Sequence, residues 1–153
     1  AVKVTNTSDR TVEYMTFTVT VNNSDYSFAA ATVPAGKSVY VFNSQKKEAP
    51  EEILSIEGKS QYEIFFSEEP TAKSDIFTYQ IGNGTVSVMN ISGNDIRSDI
   101  VVYYKSIADN GYLGGITYRF RITGGLRAGE SFNAYAPHAY SHMTEIMFTQ
   151  YEK

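Results

Sequence analysis

Val2-Lys3-Val4-Thr5-Asn6-Thr7-Ser8 recurs in altered form as Val86-Ser87-Val88-Met89-Asn90-Ile91-Ser92. Further along, Val33-Pro34-Ala35-Gly36-Lys37-Ser38 reads against Leu126-Arg127-Ala128-Gly129-Glu130-Ser131, and Glu52-Ile53-Leu54 against Glu145-Ile146-Met147. The first match has an offset of 84 and the other two share an offset of 93, so the second copy carries a nine-residue insertion. Similar segments recurring in one order point to a supersecondary unit built twice.

The segments between these anchors read as strands. Residues 11–21 alternate, with Met15, Phe17, Val19 and Val21 on one parity and Tyr14, Thr16, Thr18 and Thr20 on the other, the pattern of a strand apolar on one face. Asn22-Asn23-Ser24-Asp25 is a turn cluster, and residues 26–33 return as its hairpin partner. Residues 38–42 form a further strand, and residues 43–52 are polar, with Pro50 limiting any helical turn. Two short strands follow at 53–56 and 62–66, separated by Gly58-Lys59-Ser60. In the second half, strands are expected at 75–81, 85–91, 96–107, 115–123, 131–135 and 143–151. Gly82-Asn83-Gly84 between two apolar runs is a hairpin signal, because its central residues must tolerate positive φ. No stretch carries an apolar stripe at helical spacing. The expected fold is all-β: two tandem immunoglobulin-like sandwiches from an internal duplication, spanning residues 1–70 and 71–153. The polar stretch 67–74 links them, and the second carries a longer hairpin loop at 107–115. A single larger sandwich built from both copies is the rival arrangement.

Composition narrows the functional classes. The 153 residues carry a net charge of −4 with acids and bases interspersed, which excludes the clustered basic surface of a nucleic-acid-binding protein. Twelve Tyr and nine Phe supply much of the core-forming area. Cysteine is absent, so neither a disulfide framework nor a thiolate metal site exists; together with the size, this leans toward a bacterial or cytosolic origin. No apolar run approaches the roughly 20 residues of a membrane-spanning helix. The chain opens on Ala1 inside a strand-like pattern, and reads as one from which an export signal or lipid anchor has been removed.

Val-x-Val-x-Asn-x-Ser, a long strand, an apolar-Pro/Arg-Ala-Gly-Lys/Glu-Ser turn and a further strand together resemble the FxLYD-type immunoglobulin-like domains of secreted bacterial proteins and lipoproteins. Of that naming motif, Phe17 in Phe17-Thr18-Val19-Thr20-Val21 keeps the Phe, and Val101-Val102-Tyr103-Tyr104-Lys105 keeps the Tyr. The resemblance implies an extracellular or cell-surface module, acting as a spacer or in adhesion, and supplies no catalytic residues.

Residue by residue, the chemistry-bearing candidates are few. His138 and His142 lie four apart with Glu145 three further on; on a helix they would share a metal, but Pro137 and the strand flanks place them in a loop. No Gly-x-Ser-x-Gly elbow is present, and Glu51-Glu52 and Glu68-Glu69 are neighbours in polar segments whose side chains diverge on a strand. Neither enzyme activity, a metal nor a cofactor is expected. Binding is the better expectation. The inserted loop places Asn110, Tyr112 and Leu113 near its tip, where apolar residues on a glycine-hinged loop suit a protein contact. The bland alternative has Tyr112 and Leu113 folding back to cap a sandwich or to pack against the first domain. Tyr140, with His138 and His142, completes the candidate set, and exposed tyrosines would suit a carbohydrate. The expected partner is a protein or glycan at the cell surface.

Overall fold

A computed structural model describes residues 1–152. It is all-β; among the described residues there is no helix, and twelve strands form four three-stranded sheets. The chain divides into two compact units, one of Ala1–Glu69 with Tyr112–Ile116, the other of Pro70–Gly111 with Thr117–Lys153. Of the inserted loop, the part from Tyr112 onward folds with the first unit, and the part up to Gly111 with the second.

In the first unit, β1 (Val2–Thr5) pairs antiparallel with β4 (Ser38–Val41). The second sheet has the order β3–β2–β5, from β2 (Val12–Val21), β3 (Ser24–Val33) and β5 (Ile56–Phe65). In the second unit, β7 (Thr85–Asn90) pairs with β11 (Ser131–Tyr135), and the order β10–β8–β12 is built from β8 (Ile100–Ser106), β10 (Tyr118–Ile122) and β12 (Thr144–Tyr151). These two arrangements correspond strand for strand. They differ in the strand that widens the first sheet. In the first unit it is β9 (Leu113–Gly114), added parallel to β4; in the second it is β6 (Phe77–Ile81), added antiparallel to β7.

The repeated Asn-x-Ser segments explain why each unit closes the same way. Asn6 Nδ2 donates to Arg10 O (2.8 Å) and Val33 O (2.9 Å), and its Oδ1 accepts from the amide (3.0 Å) and hydroxyl (2.7 Å) of Ser8. Asn90 Nδ2 donates to Asn94 O (2.7 Å) and Leu126 O (3.0 Å), and its Oδ1 accepts from the amide (3.0 Å) and hydroxyl (2.8 Å) of Ser92. Both asparagines are buried, and with all four bonds made neither carries the desolvation cost of an unsatisfied amide. The glycine turns match as well: Gly36 N donates to Asn6 O and Gly129 N to Asn90 O, each at 2.9 Å and each from a glycine of positive φ.

The core of the second unit is continuous. Phe77, Val86, Val88, Ile100, Val102, Tyr104, Phe120 and Ile122, drawn from both of its sheets, form one buried cluster with Ala134, Ala136 and Ala139. That of the first unit is thinner: Val12, Met15, Tyr26, Phe28, Ala30, Val33, Val39, Val41 and Leu113 are buried, but Phe17, Val19 and Val21 of β2 are only half-buried and β5 is exposed almost throughout. The strands expected at 96–107 and 115–123 are confined to Ile100–Ser106 and Tyr118–Ile122, and two further details differ from the sequence reading. The turn expected at Gly58 is instead a register shift, opposite Thr18 and Val19, within the single strand β5, as a bulge at a glycine permits. Residues 53–55 lie outside any strand.

Candidate functional site

A groove of about 420 Å³ opens on the first unit, lined by Val4 of β1, Met15, Phe17 and Val19 of β2, and Gly58–Gln61 of β5. Strand alternation places these residues there: the parity of β2 that carries Met15, Phe17 and Val19 faces inward. Phe17 stacks on the buried Phe28 across the strand pair, centroids 5.0 Å apart and planes 11° from parallel, so the floor of the groove is aromatic. Its rim is polar. Lys59 pairs with Asp25, which also accepts from Thr20 Oγ1 at 2.7 Å; the hydrogen bond from Lys59 first, then that from Thr20, hold the Asp25 carboxyl below its ordinary value. Both partners are exposed, so this ion pair adds little to the stability of the fold.

Comparison of the two units shows what the groove is. Phe17, opposite Phe28 and Gln61, stands where Val102 stands opposite Phe120 and Thr149. Val19, opposite Tyr26, stands where Tyr104 stands opposite Tyr118. Val2 and Val4 stand where Val86 and Val88 do. In the second unit Val86, Val88 and Val102 are wholly buried and Tyr104 is 2% exposed; in the first their counterparts are only half-buried. The difference coincides with β6. Phe77 of β6 is 1% exposed and sits edge-on to Tyr151 at 5.6 Å, and the Tyr79 hydroxyl donates to Ala72 O while lying 2.6 Å from Thr149 Oγ1. The burial of Tyr79 pushes its phenol up to about 12, against the lowering effect of the Thr149 hydrogen bond. No strand occupies the same edge of β1 among the described residues.

The residues singled out from the sequence fall elsewhere. Leu113 is 6% exposed and pairs with Val39, and Tyr112 sits edge-on against Tyr40 at 5.4 Å with Lys3 Nζ 5.1 Å above its ring. Both therefore serve packing within the first unit and do not stand out at a loop tip; the hairpin loop expected at 107–115 is in part a strand. Asn110 is exposed in the turn before them. His138, Tyr140 and His142 share the exposed loop between β11 and β12, where His138 stacks on Tyr118 at 4.3 Å and His142 takes a φ of +66°. Among the described residues no three His, Asp or Glu side chains come together as a metal site. Nothing in a single strand's sequence marked the groove.

Two other features carry polar groups. Lys105 on β8 is wholly buried, and burial draws its ammonium down to about 7. A wider hollow of about 870 Å³ on the second unit is walled by Ile76, the 92–98 turn residues and Tyr151. Its Asp95 carboxylate is already engaged, accepting the Ala128 amide at 3.0 Å. In comparisons with known proteins, no family model, no curated protein and no solved structure matches the chain.

Proposed function

We propose that this chain is a non-enzymatic protein-binding module of the extracellular, surface-anchored kind, made of two immunoglobulin-like units that arose by duplication. In this reading the second unit is a closed spacer and the first bears the contact surface. One observation carries it: Val4, Phe17 and Val19 stay accessible in the first unit while their counterparts in the second are enclosed. Apolar side chains left in water beside an open sheet edge are unfavourable for the isolated unit and favour association. The matching Asn6 and Asn90 networks support a common origin of the units.

The test is capture from cell-envelope and host-surface extracts on the immobilised chain, followed by purification of the captured protein and pairwise rebinding. A Phe17→Ser/Val19→Ser variant that keeps the wild-type circular dichroism spectrum should lose the partner. Equal rebinding by that variant contradicts the reading. A carbohydrate-binding alternative rests on Tyr135 and Tyr140, 78% and 52% exposed in the second unit; saturable glycan binding lost in Tyr135→Ala/Tyr140→Ala, with no protein partner, would replace the first reading with this one.

A further inference from the structure

We infer that the second unit carries a binding site for a carboxylate-bearing saccharide, seated on Arg97 and Arg127 in a polar hollow beside the 124–130 turn. The site lies apart from the groove of the first unit and does not depend on the protein-binding reading above.

Main-chain pairing brings the two arginines together. Ile96 N donates to Leu126 O and Leu126 N to Ile96 O, each at 2.9 Å, and both side chains are buried. Their chain neighbours Arg97 and Arg127 are exposed and line one hollow of about 620 Å³ with Asp95, Gly124, Gly125 and Glu130. The two arginines are diagonal neighbours across an antiparallel bridge. Such neighbours stand roughly 7–8 Å apart, so two long side chains can close on one group. Directly opposite Arg97 is Gly125, of φ +78°, where an added Cβ would collide with Ile96 O, and the floor of the hollow is bare main chain. The first unit builds the same scaffold with different chemistry. Val12 and Val33 pair as Ile96 and Leu126 do, so Glu13 stands at the position of Arg97, Thr32 at that of Gly125, Pro34 at that of Arg127 and Lys37 at that of Glu130. Neither arginine is thus needed to close a unit.

The state of the charges defines the ligand. Among the described residues neither guanidinium has a hydrogen-bond or ion-pair partner. The two carboxylates beside them are held by the turn itself: Asp95 Oδ1 accepts from Ala128 N at 3.0 Å and Glu130 Oε2 from Arg127 N at 2.8 Å. Each guanidinium therefore offers its planar fork of donors to an incoming group, and a carboxylate has the matching shape. Each protein carboxylate keeps acceptor capacity for a hydroxyl donor. Two positive and two negative side chains balance, so the hollow draws no polyanion by net charge and selects a single carboxylate by contact. The one apolar side chain of this lining, Ile96, is buried, so the aliphatic side chains of a peptide find no wall. The hydroxyls of a sugar ring find acceptors instead. A uronic acid unit of a polysaccharide combines both groups, a carboxylate and hydroxyls on neighbouring ring carbons.

The probe is an oligomer of galacturonic acid, with the same oligomer reduced at its carboxyl groups and a glutamic acid peptide as controls. Binding to the full chain is followed by calorimetry and by NMR of the backbone amides and arginine side chains. The expected result is saturable binding of the uronate oligomer that shifts the Arg97, Gly124, Gly125 and Arg127 signals, with each control weaker by at least about tenfold. Arg97→Ala/Arg127→Ala should abolish binding with the circular dichroism spectrum unchanged. Arg97→Lys/Arg127→Lys keeps the charge but loses the forks, and should weaken binding by about tenfold. Tyr135→Ala/Tyr140→Ala should leave it intact. The proposal is overturned by absence of binding at millimolar oligomer, or by equal binding of the reduced oligomer or of the glutamic acid peptide. Displacement of the oligomer by equimolar inorganic phosphate also overturns it, in favour of a simple anion site. Binding that survives Arg97→Ala/Arg127→Ala and is lost with Tyr135→Ala/Tyr140→Ala overturns it in favour of a saccharide seated on the exposed tyrosines.

Discussion

The Tyr79 hydroxyl lies 2.6 Å from Thr149 Oγ1, which ties β6 of one sheet to β12 of the other across the edge of the second core. That bond and the neighbouring Phe77–Tyr151 contact seal the edge that stays open in the first unit. Tyr79→Phe should therefore lower the stability of the second unit by about 1 kcal/mol, and Phe77→Ala by about 3–5 kcal/mol through the cavity left in the core. Chemical denaturation followed by near-ultraviolet circular dichroism measures both, and a smaller loss for Phe77→Ala than for Tyr79→Phe would contradict the role given to β6.

Asn6 and Asn90 hold equivalent buried networks, so each substitution should weaken its own unit. Asn6→Ala and Asn90→Ala should each cost on the order of 2–4 kcal/mol, since each strips a buried carbonyl, Val33 O or Leu126 O, and the part-buried groups of its turn of their partner. Site-resolved hydrogen exchange is the check: Asn6→Ala should speed exchange in β2 and β3 far more than in β8 and β10, with the reverse for Asn90→Ala.

Tyr112–Ile116 belongs to the first unit, so disturbing it should be felt there. Leu113→Ala should destabilise that unit by about 2–3 kcal/mol. Gly115→Ala should also destabilise it, because an added Cβ would stand 2.9 Å from Tyr40 O and 3.2 Å from Val41 Cγ2. Thermal unfolding monitored at amides of β2 and β4 tests this, and wild-type stability in both variants would contradict the packing of Leu113 against the first unit, the alternative that the sequence also offered.

Burial of Lys105 sets a pH dependence. Its folded-state value of about 7 lies below the unfolded value of 10.5, so the unfolded chain binds the extra proton between them. Stability should therefore rise as pH increases from about 7 toward 10, the charge penalty being fully present below 7. Lys105→Met should flatten that slope. Urea midpoints of wild type and variant at pH 7 and 9.5 decide it; parallel pH profiles would contradict the assignment.

Much of the β framework was legible because alternation and turn chemistry are local. The Asn-x-Ser anchors and glycine turns recur in sequence, and they recur as hydrogen bonds. What was hidden is non-local. The pairing of Leu113 with Val39 joins residues far apart in the chain by a two-residue parallel strand, too short to leave a pattern. Strand β5 was read as two pieces because Gly58-Lys59-Ser60 resembles a turn, and because a strand exposed on both faces shows no apolar alternation. The groove was invisible for the same reason: Val4, Phe17 and Val19 look like ordinary core residues, and only comparison with the fully buried Val88, Val102 and Tyr104 shows that they are left half-buried.

The most direct test of that asymmetry is the exchange rate of four backbone amides in the free chain, measured by NMR: Lys3 and Thr5 against Ser87 and Met89. An edge open in one unit and sealed by β6 in the other requires fast exchange at Lys3 and Thr5 and strong protection at Ser87 and Met89. Equal protection of all four would mean that β1 is already paired in the free chain, and the binding groove would not exist.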